Sequence, residues 1–231
     1  MRVVIVGGHG KIALLLERLL AERGDQAVGL IRNPAHVGDV QKAGAEAVVC
    51  DLEAASAEDV AVLLAGADAV VFAAGAGPGS GAPRKDSVDR GASVLMADAA
   101  ERAGVRRFVQ ISSMGTGQPP RPGTDEVWAA YITAKTAAED DLRARDLDWT
   151  ILRPGRLTDA PPTGTVLRGG RFTRHRVGLR VCSWMADRRY RIQAALGPRR
   201  RRTAGSTAGT RPPRGKPMNR RVRLTRPERR N

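Results

Sequence analysis

The chain has 231 residues, 42% of them hydrophobic and 27% charged, with a formal net charge of +15 at pH 7. No stretch approaches the roughly 18 consecutive apolar residues that a membrane span needs, and no signal-like segment precedes the first strand-like run, so we expect a soluble, cytoplasmic protein without a membrane partner. Cys50 and Cys182 fit no metal-ligand or redox spacing, and we expect no metal site.

The positive charge is concentrated in the last part of the chain. Residues 1–166 hold 18 basic and 22 acidic side chains, a net charge of −4, whereas residues 167–231 hold 21 basic and 2 acidic ones, a net charge of +19. We therefore expect a globular domain over 1–166 and an irregular, arginine-rich tail over 167–231. Such a tail has too little apolar surface to offset the entropy of ordering, which predicts disorder for most of it. Only Val177–Ala195 keeps enough apolar residues for a strand or helix, and arginines interrupt it repeatedly.

Strand-like and helix-like segments alternate through the first part of the chain. Short apolar runs predict six strands, at Val3–Val6, Ala27–Ile31, Ala47–Val49, Ala69–Ala73, Phe108–Ile111 and Trp149–Leu152. Helical spacing of apolar residues predicts the intervening helices, at Ile12–Glu22, Pro34–Ala43, Ala57–Leu64, Val88–Ala103 and Glu126–Arg145. Segments 75–83 and 115–123, rich in Gly and Pro, are predicted loops.

The strands are continuous apolar runs, which is typical of sheets covered on both faces. Strands and helices in alternation, joined by right-handed crossovers, form a doubly wound parallel sheet. The sequence therefore predicts an α/β protein with the Rossmann strand order 3-2-1-4-5-6.

A glycine-rich stretch, GGHGKIA from Gly7 to Ala13, lies between the first strand and the first helix. Gly7 permits a sharp turn, Gly10 permits close approach of a pyrophosphate, and Lys11 and Ile12 begin the helix whose N–H groups receive the phosphate charge. The phosphate-binding loop of a nucleotide triphosphatase needs Ser or Thr at the position of Ile12, so this type of loop is excluded. The motif predicts dinucleotide binding, with a plain tight turn as the alternative.

The form of the dinucleotide depends on the residue after the second strand. NAD-specific sites usually place a carboxylate there, whereas this chain has Arg32 with no acid beside it in sequence. A guanidinium binds a 2′-phosphate well, so we predict NADP, with NAD possible and a solvated surface arginine as the alternative. Asp51 and Leu52 are predicted to flank the adenine, with a helix N-cap as the other reading of Asp51. Ala74 and Gly75 are predicted to contact the dinucleotide after the fourth strand.

A second constellation consists of Tyr131 and Lys135, four residues apart on a predicted helix. This spacing places phenol and ammonium on one face, where a positive charge favours the phenolate and acid–base work. Ser112 and Ser113 end the fifth strand, at the edge where such sheets bind ligands, and either hydroxyl could polarise a substrate oxygen. A partly buried tyrosine with a solvated lysine is the structural alternative.

In this order, the motifs resemble the short-chain dehydrogenase/reductase superfamily, in its atypical, extended-like branch of small NAD(P)H-binding proteins. The resemblance covers residues 1–166 and rests also on Arg153-Pro-Gly155. It implies that Tyr131 is the catalytic acid/base, that Lys135 binds the nicotinamide ribose and lowers the tyrosine pKa, and that Ser113, or else Ser112, orients the substrate.

Three functional hypotheses follow. The first is an NADP-dependent oxidoreductase acting on a small-molecule carbonyl or hydroxyl substrate, which the complete Ser/Tyr/Lys set favours. The second is a regulator that senses NADP(H) without turnover, as some members of this branch do. The third is nucleic-acid binding through the tail, although no aromatic residues interleave with its arginines.

The tail itself has two interpretations. Proteins of this branch continue after the Gly-Thr-Val segment at 164–166 with an acidic helix and a final strand, but this chain becomes arginine-rich at Leu167. An out-of-frame translation would account for the change, as would a genuine basic tail that binds an acidic partner.

Overall fold

The computed structural model describes residues 1–120, 122–155 and 157, together with the backbone of 177–180. Its strands are β1 Arg2–Val6, β2 Gln26–Ile31, β3 Glu46–Val49, β4 Ala69–Phe72, β5 Arg107–Ile111, β6 Asp148–Arg153 and β7 Val177–Arg180. Its helices are α1 Lys11–Glu22, α2 Val37–Lys42, α3 Ala57–Leu63, α4 Ala82–Arg84, α5 Ala92–Arg102 and α6 Glu126–Ala144. A 3-10 turn, Pro34–His36, precedes α2, and a π-helical segment, Lys85–Gly91, joins α4 to α5.

The strands form one parallel sheet in the order β3-β2-β1-β4-β5-β6-β7. The first six confirm the predicted doubly wound sheet and its order. The seventh strand, β7, lies after the predicted boundary at 166, in the tail segment that keeps enough apolar residues for a strand or helix. It pairs with β6, from Thr150 opposite Val177 to Arg153 opposite Arg180. This pairing satisfies backbone groups of β6 that an edge strand would expose. The other tail residues, and the predicted disorder, lie outside the described residues.

Two apolar layers cover the faces of the sheet. On one face, side chains of α3, α5 and α6 such as Val60, Met96 and Leu142 pack against the strands. On the other face, α1 and α2 contribute Leu16, Leu20 and Val40, among others. Because both faces are buried, the strands can be apolar at successive positions, as the four fully buried residues of β4 are.

The helix that follows β4 begins earlier than predicted. The sequence places residues through Pro83 in a loop, but α4 begins at Ala82 with Pro83 in its first turn. Proline is well suited to that position, since the N–H it lacks would have no helical partner there. The early start matters because Arg84 and the π-helical segment reach the site described below.

Within the part of the chain that the structure describes, no helix has both the length and the apolar character needed to cross a membrane. The predicted cytoplasmic location stays a prediction.

Candidate dinucleotide and catalytic site

A cavity of about 580 Å³ opens where β1 to β4 end. It is lined by most of the residues that were predicted to bind a cofactor, namely Gly7, Gly10, Arg32, Asp51, Leu52, Ala74 and Gly75. Lys11 and Ile12 form the first turn of α1 next to the glycine loop. The site thus lies at the carboxyl edge of the sheet, close to the point where the strand order reverses between β1 and β4.

The glycine loop is shaped for close backbone approach. Gly7 has a φ of +76°, and a Cβ there would lie 2.8 Å from Cα of Ala74. The amide of Gly10 donates to the carbonyl of Gly7 at 2.8 Å, which closes the turn into α1. No side chain caps α1 at Gly10, and its first turn contains no acidic residue. The unneutralised N-terminal amides therefore fit a pyrophosphate group.

Arg32 lines the cavity and has a carboxylate beside it. Although no acid neighbours Arg32 in sequence, its Nη1 is 3.1 Å from Oε2 of Glu53, which lies in the turn after β3. Asp51 accepts a hydrogen bond from the amide of Glu53 at 3.1 Å, and so stabilises that turn. The alternative that Asp51 caps a helix is wrong, since Ser56 caps α3 through a reciprocal pair of hydrogen bonds with Asp59.

Lys135 is buried against the ends of two strands. Its Nζ donates to the carbonyls of Ala74 and Ile111, each at 3.3 Å, and lies 3.1 Å from Oδ1 of Asp89. The same Nζ is 5.9 Å from the centroid of the Tyr131 ring, as the four-residue spacing on α6 predicts. The other oxygen of Asp89 accepts from the amide of Ala76 at 3.1 Å. Asp89 therefore links Lys135 to the loop that follows β4.

The pKa of Tyr131 moves in the opposite direction to the one expected. Burial raises this pKa above its ordinary value, a hydrogen bond with Ser113 lowers it in part, and the Asp89 carboxylate raises it. Burial also lowers the pKa of Lys135, against the opposing influence of Asp89. Because Asp89 neutralises the Lys135 ammonium, the lysine does little to favour a phenolate. The raised pKa favours the protonated phenol of Tyr131.

The two candidate serines have different surroundings. Ser113 contacts Tyr131, whereas Ser112 is turned away, with its Oγ 2.5 Å from Oε1 of Glu139. Glu139 is fully buried and also accepts from Thr116 at 2.7 Å and from Nε of Arg153 at 2.9 Å. Although burial alone would raise it, these donors hold the pKa of Glu139 below its ordinary value. Ser113, and not Ser112, is therefore the serine positioned beside the phenol.

Lys85, in the π-helical segment, is a further buried cation near the phenol. Its Nζ donates to the carbonyl of Gly77 at 2.8 Å and lies 5.7 Å from the Tyr131 ring centroid. Segments of π-helix are rare and frequently occur at functional sites.

Sequence reasoning missed Lys85, Asp89 and Glu53, because no local pattern marks which charged residues face the site. Glu139 did carry a signal, since it lies four residues after Lys135 on the same face of α6.

Comparison with known proteins identifies the family. A family model described as NAD(P)H-binding matches residues 7–179, and so extends past position 166. An uncharacterized sugar epimerase of Bacillus subtilis, YhfK, is 34% identical over 167 residues, which are 72% of this chain and 77% of that protein. The structure assigned to an NAD-dependent epimerase/dehydratase of Bacillus halodurans has a TM-score of 0.67 and 34% identity, covering 77% of this chain and 82% of that one.

ChuY, an anaerobillin reductase of Escherichia coli O157:H7, superposes with a TM-score of 0.64 and 25% identity over 85% of this chain and 91% of its own. On the family match, the shared identity and the site geometry together, the chain belongs to the NAD(P)H-binding family of epimerase/dehydratase-like and reductase-like Rossmann enzymes.

Proposed function

We propose that this protein is an NADP(H)-dependent oxidoreductase that reduces the carbonyl group of a small molecule, with Tyr131 as the proton donor. The observation that supports this most strongly is the grouping of Tyr131, Ser113 and buried Lys135. The Lys135 ammonium donates to the carbonyl of Ala74, which lines the cavity. Bound NADPH supplies the hydride. The protein must then supply a proton to the substrate oxygen and hold that oxygen in place.

The protonation state of Tyr131 supports the reductive direction. Carbonyl reduction requires a general acid, and a phenol with a raised pKa is protonated at neutral pH. The Ser113 hydroxyl orients the same substrate oxygen, and Lys135 replaces the proton lost from Tyr131 or interacts with the ribose. A sugar epimerase reaction, which the name of YhfK suggests for that protein, would need the phenolate as a base.

The NADP form is proposed from Arg32. Its guanidinium lines the cavity after β2, and about half of its side chain is exposed, so it can reach a phosphate group. The residues around the cavity thus fit a dinucleotide at both ends: the glycine loop for the pyrophosphate and Arg32 for the 2′-phosphate.

Exposed apolar side chains near Tyr131 support a substrate with an apolar body. The Trp128 and Tyr131 rings are 5.2 Å apart between centroids, and Met114 directly follows Ser113. Trp128 and Met114 are 51% and 48% exposed. We propose that these two side chains pack against the substrate once it is bound.

The test is titration of the purified protein with NADPH and NADH, followed by a screen of apolar carbonyl compounds. We expect tighter binding of NADPH, and turnover that falls as the pH rises through the pKa of Tyr131. Tyr131→Phe should abolish turnover and leave NADPH affinity nearly unchanged. Turnover by Tyr131→Phe at the wild-type rate would refute the assigned chemistry.

A cofactor-sensing regulator is the second candidate. One observation favours it: the Lys135 ammonium is already engaged by Asp89 and two carbonyl groups. NADPH binding without turnover of any tested carbonyl compound would favour this candidate. The possibility of nucleic-acid binding concerns tail residues outside the described ranges.

A further inference from the structure

We propose that Arg32, Arg84 and Ser87 form a subsite for a phosphate monoester, the 2′-phosphate of NADP, and that the Glu53 carboxylate holds this subsite until the phosphate displaces it. The inference rests on the proposed NADP-dependent function. It adds residues that follow β3 and β4 to the recognition of the 2′-phosphate by Arg32, which follows β2. It makes Arg84 and Glu53 determinants of cofactor choice.

Three donors from two sides of the cavity converge on the Glu53 carboxylate. Nη1 of Arg32 lies 3.1 Å from Oε2, and Nη2 of Arg84 lies 2.8 Å from the same oxygen. The Ser87 hydroxyl donates to Oε1 at 2.7 Å. Arg32 follows β2, whereas Arg84 ends α4 and Ser87 lies in the π-helical segment. Arg32, Glu53 and Arg84 all line the cavity.

This arrangement of donors is suited to a phosphate group. Two guanidinium groups within hydrogen-bond distance of one oxygen repel each other unless an anion lies between them. Glu53 supplies a single negative charge and two oxygens, whereas a phosphate monoester carries up to two charges and three terminal oxygens. A phosphate group therefore satisfies the same donors better than the carboxylate does.

The carboxylate can be displaced because the cluster is partly open to solvent. The Glu53, Arg84 and Arg32 side chains are 30%, 37% and 54% exposed. Ion pairs with this exposure contribute little free energy, so a competing dianion can replace Glu53 at small cost.

Glu53 also acts against NADP in the choice between the two cofactors. A carboxylate at this position can accept a hydrogen bond from the ribose 2′-hydroxyl of NAD, and it repels a 2′-phosphate unless it moves. We therefore expect Glu53 to decrease the preference for NADPH and Arg84 to increase it.

The experiment measures binding of adenosine 2′-monophosphate to the full-length protein by isothermal titration calorimetry, with adenosine 5′-monophosphate as the reference ligand. Arg84→Gln should weaken binding of the 2′-monophosphate about fivefold, and Glu53→Gln should tighten it by a similar factor. Arg84→Gln should leave the affinities for the 5′-monophosphate and NADH within about twofold of wild type, because neither ligand carries a 2′-phosphate. The matched controls are Arg102→Gln and Glu58→Gln, which alter an exposed ion pair of 2.9 Å that does not line the cavity.

Wild-type affinity for the 2′-monophosphate in Arg84→Gln, or unchanged affinity in Glu53→Gln, would overturn the subsite. If NADPH and NADH still bind in that case, the proposed function stands. If neither dinucleotide binds the wild-type protein, the proposed function fails, and the subsite fails with it.

Discussion

Glu17 is a buried carboxyl group on α1, and its replacement by Gln gives a prediction with a clear sign. The side chain is fully buried, and neither of its oxygens has a hydrogen-bond partner among the described residues. It lies between two glycines of the site scaffold: a Cβ at Gly29 would be 2.7 Å from its Oε1, and a Cβ at Gly8 would be 3.1 Å away. Burial raises the pKa of Glu17 from 4.5 to about 8, although Arg18 acts in the opposite direction.

The size of the effect follows from the difference between the folded and unfolded pKa values. The folded protein keeps a proton that the unfolded chain releases above about pH 4.5, so the free energy of unfolding falls as the pH rises from there to about 8. At about 1.4 kcal/mol per pKa unit, this loss is on the order of 3 to 4 kcal/mol between pH 5 and pH 8. The carboxyl groups of Glu139 and Asp25 have lowered pKa values, so their contributions are lost at more acidic pH.

The assay is urea unfolding of the wild type and Glu17→Gln at pH 5, 6, 7 and 8. Because Gln does not titrate, the variant should gain stability relative to wild type as the pH rises, by about 3 kcal/mol over this range. Glu22→Gln, an exposed substitution on the same helix, is the control and should follow the wild type. Parallel curves for wild type and Glu17→Gln would show that Glu17 is ionised in the folded protein, and the reasoning would be refuted.

Three further predictions concern the buried network and the scaffold. Lys135→Met should lower the free energy of unfolding by about 3 kcal/mol in thermal unfolding, because it leaves Asp89 buried without its cation. The double variant Lys135→Met/Asp89→Asn should recover much of that loss. A double variant no more stable than Lys135→Met would contradict the pairing. Glu139→Gln should lower the free energy of unfolding by about 2 kcal/mol at pH 7 and by less at pH 4. The stability that comes from the lowered pKa of Glu139 is present above about pH 4.5 and is lost as the pH falls. An equal loss at pH 7 and pH 4 would argue against an ionised Glu139. Gly29→Ala should lower the melting temperature, because its Cβ would lie 2.7 Å from Glu17 and 2.9 Å from Val40. The control Gly38→Ala should leave the melting temperature unchanged, because its Cβ would have no atom within 4 Å. Equal melting temperatures for the two variants would show that the structure around Gly29 accommodates the extra Cβ without cost.

The sequence by itself determined the first six strands, their order and the glycine loop. These features are local: a continuous apolar run, a helical repeat of apolar residues, and Gly7 and Gly10 at a fixed distance from a strand end. The spacing of Tyr131 and Lys135 is local in the same sense, because one helical turn places both side chains on one face of α6. Connection rules then restrict how such units assemble, which is why the predicted order could be specific.

Only the tertiary structure decided which charged groups meet in the site. Glu53 reaches Arg32 from 21 positions away, and Asp89 reaches Lys135 from a different helical segment. Both acids look like ordinary surface residues in the sequence. Asp89 nevertheless pairs with buried Lys135, and burial, with a smaller influence of Asp89, raises the pKa of Tyr131. The pairing of β7 with β6 likewise joins two segments that are distant in the chain. Burial and charge pairing are set by the packing of distant segments, and they change a side chain's chemistry without changing its identity.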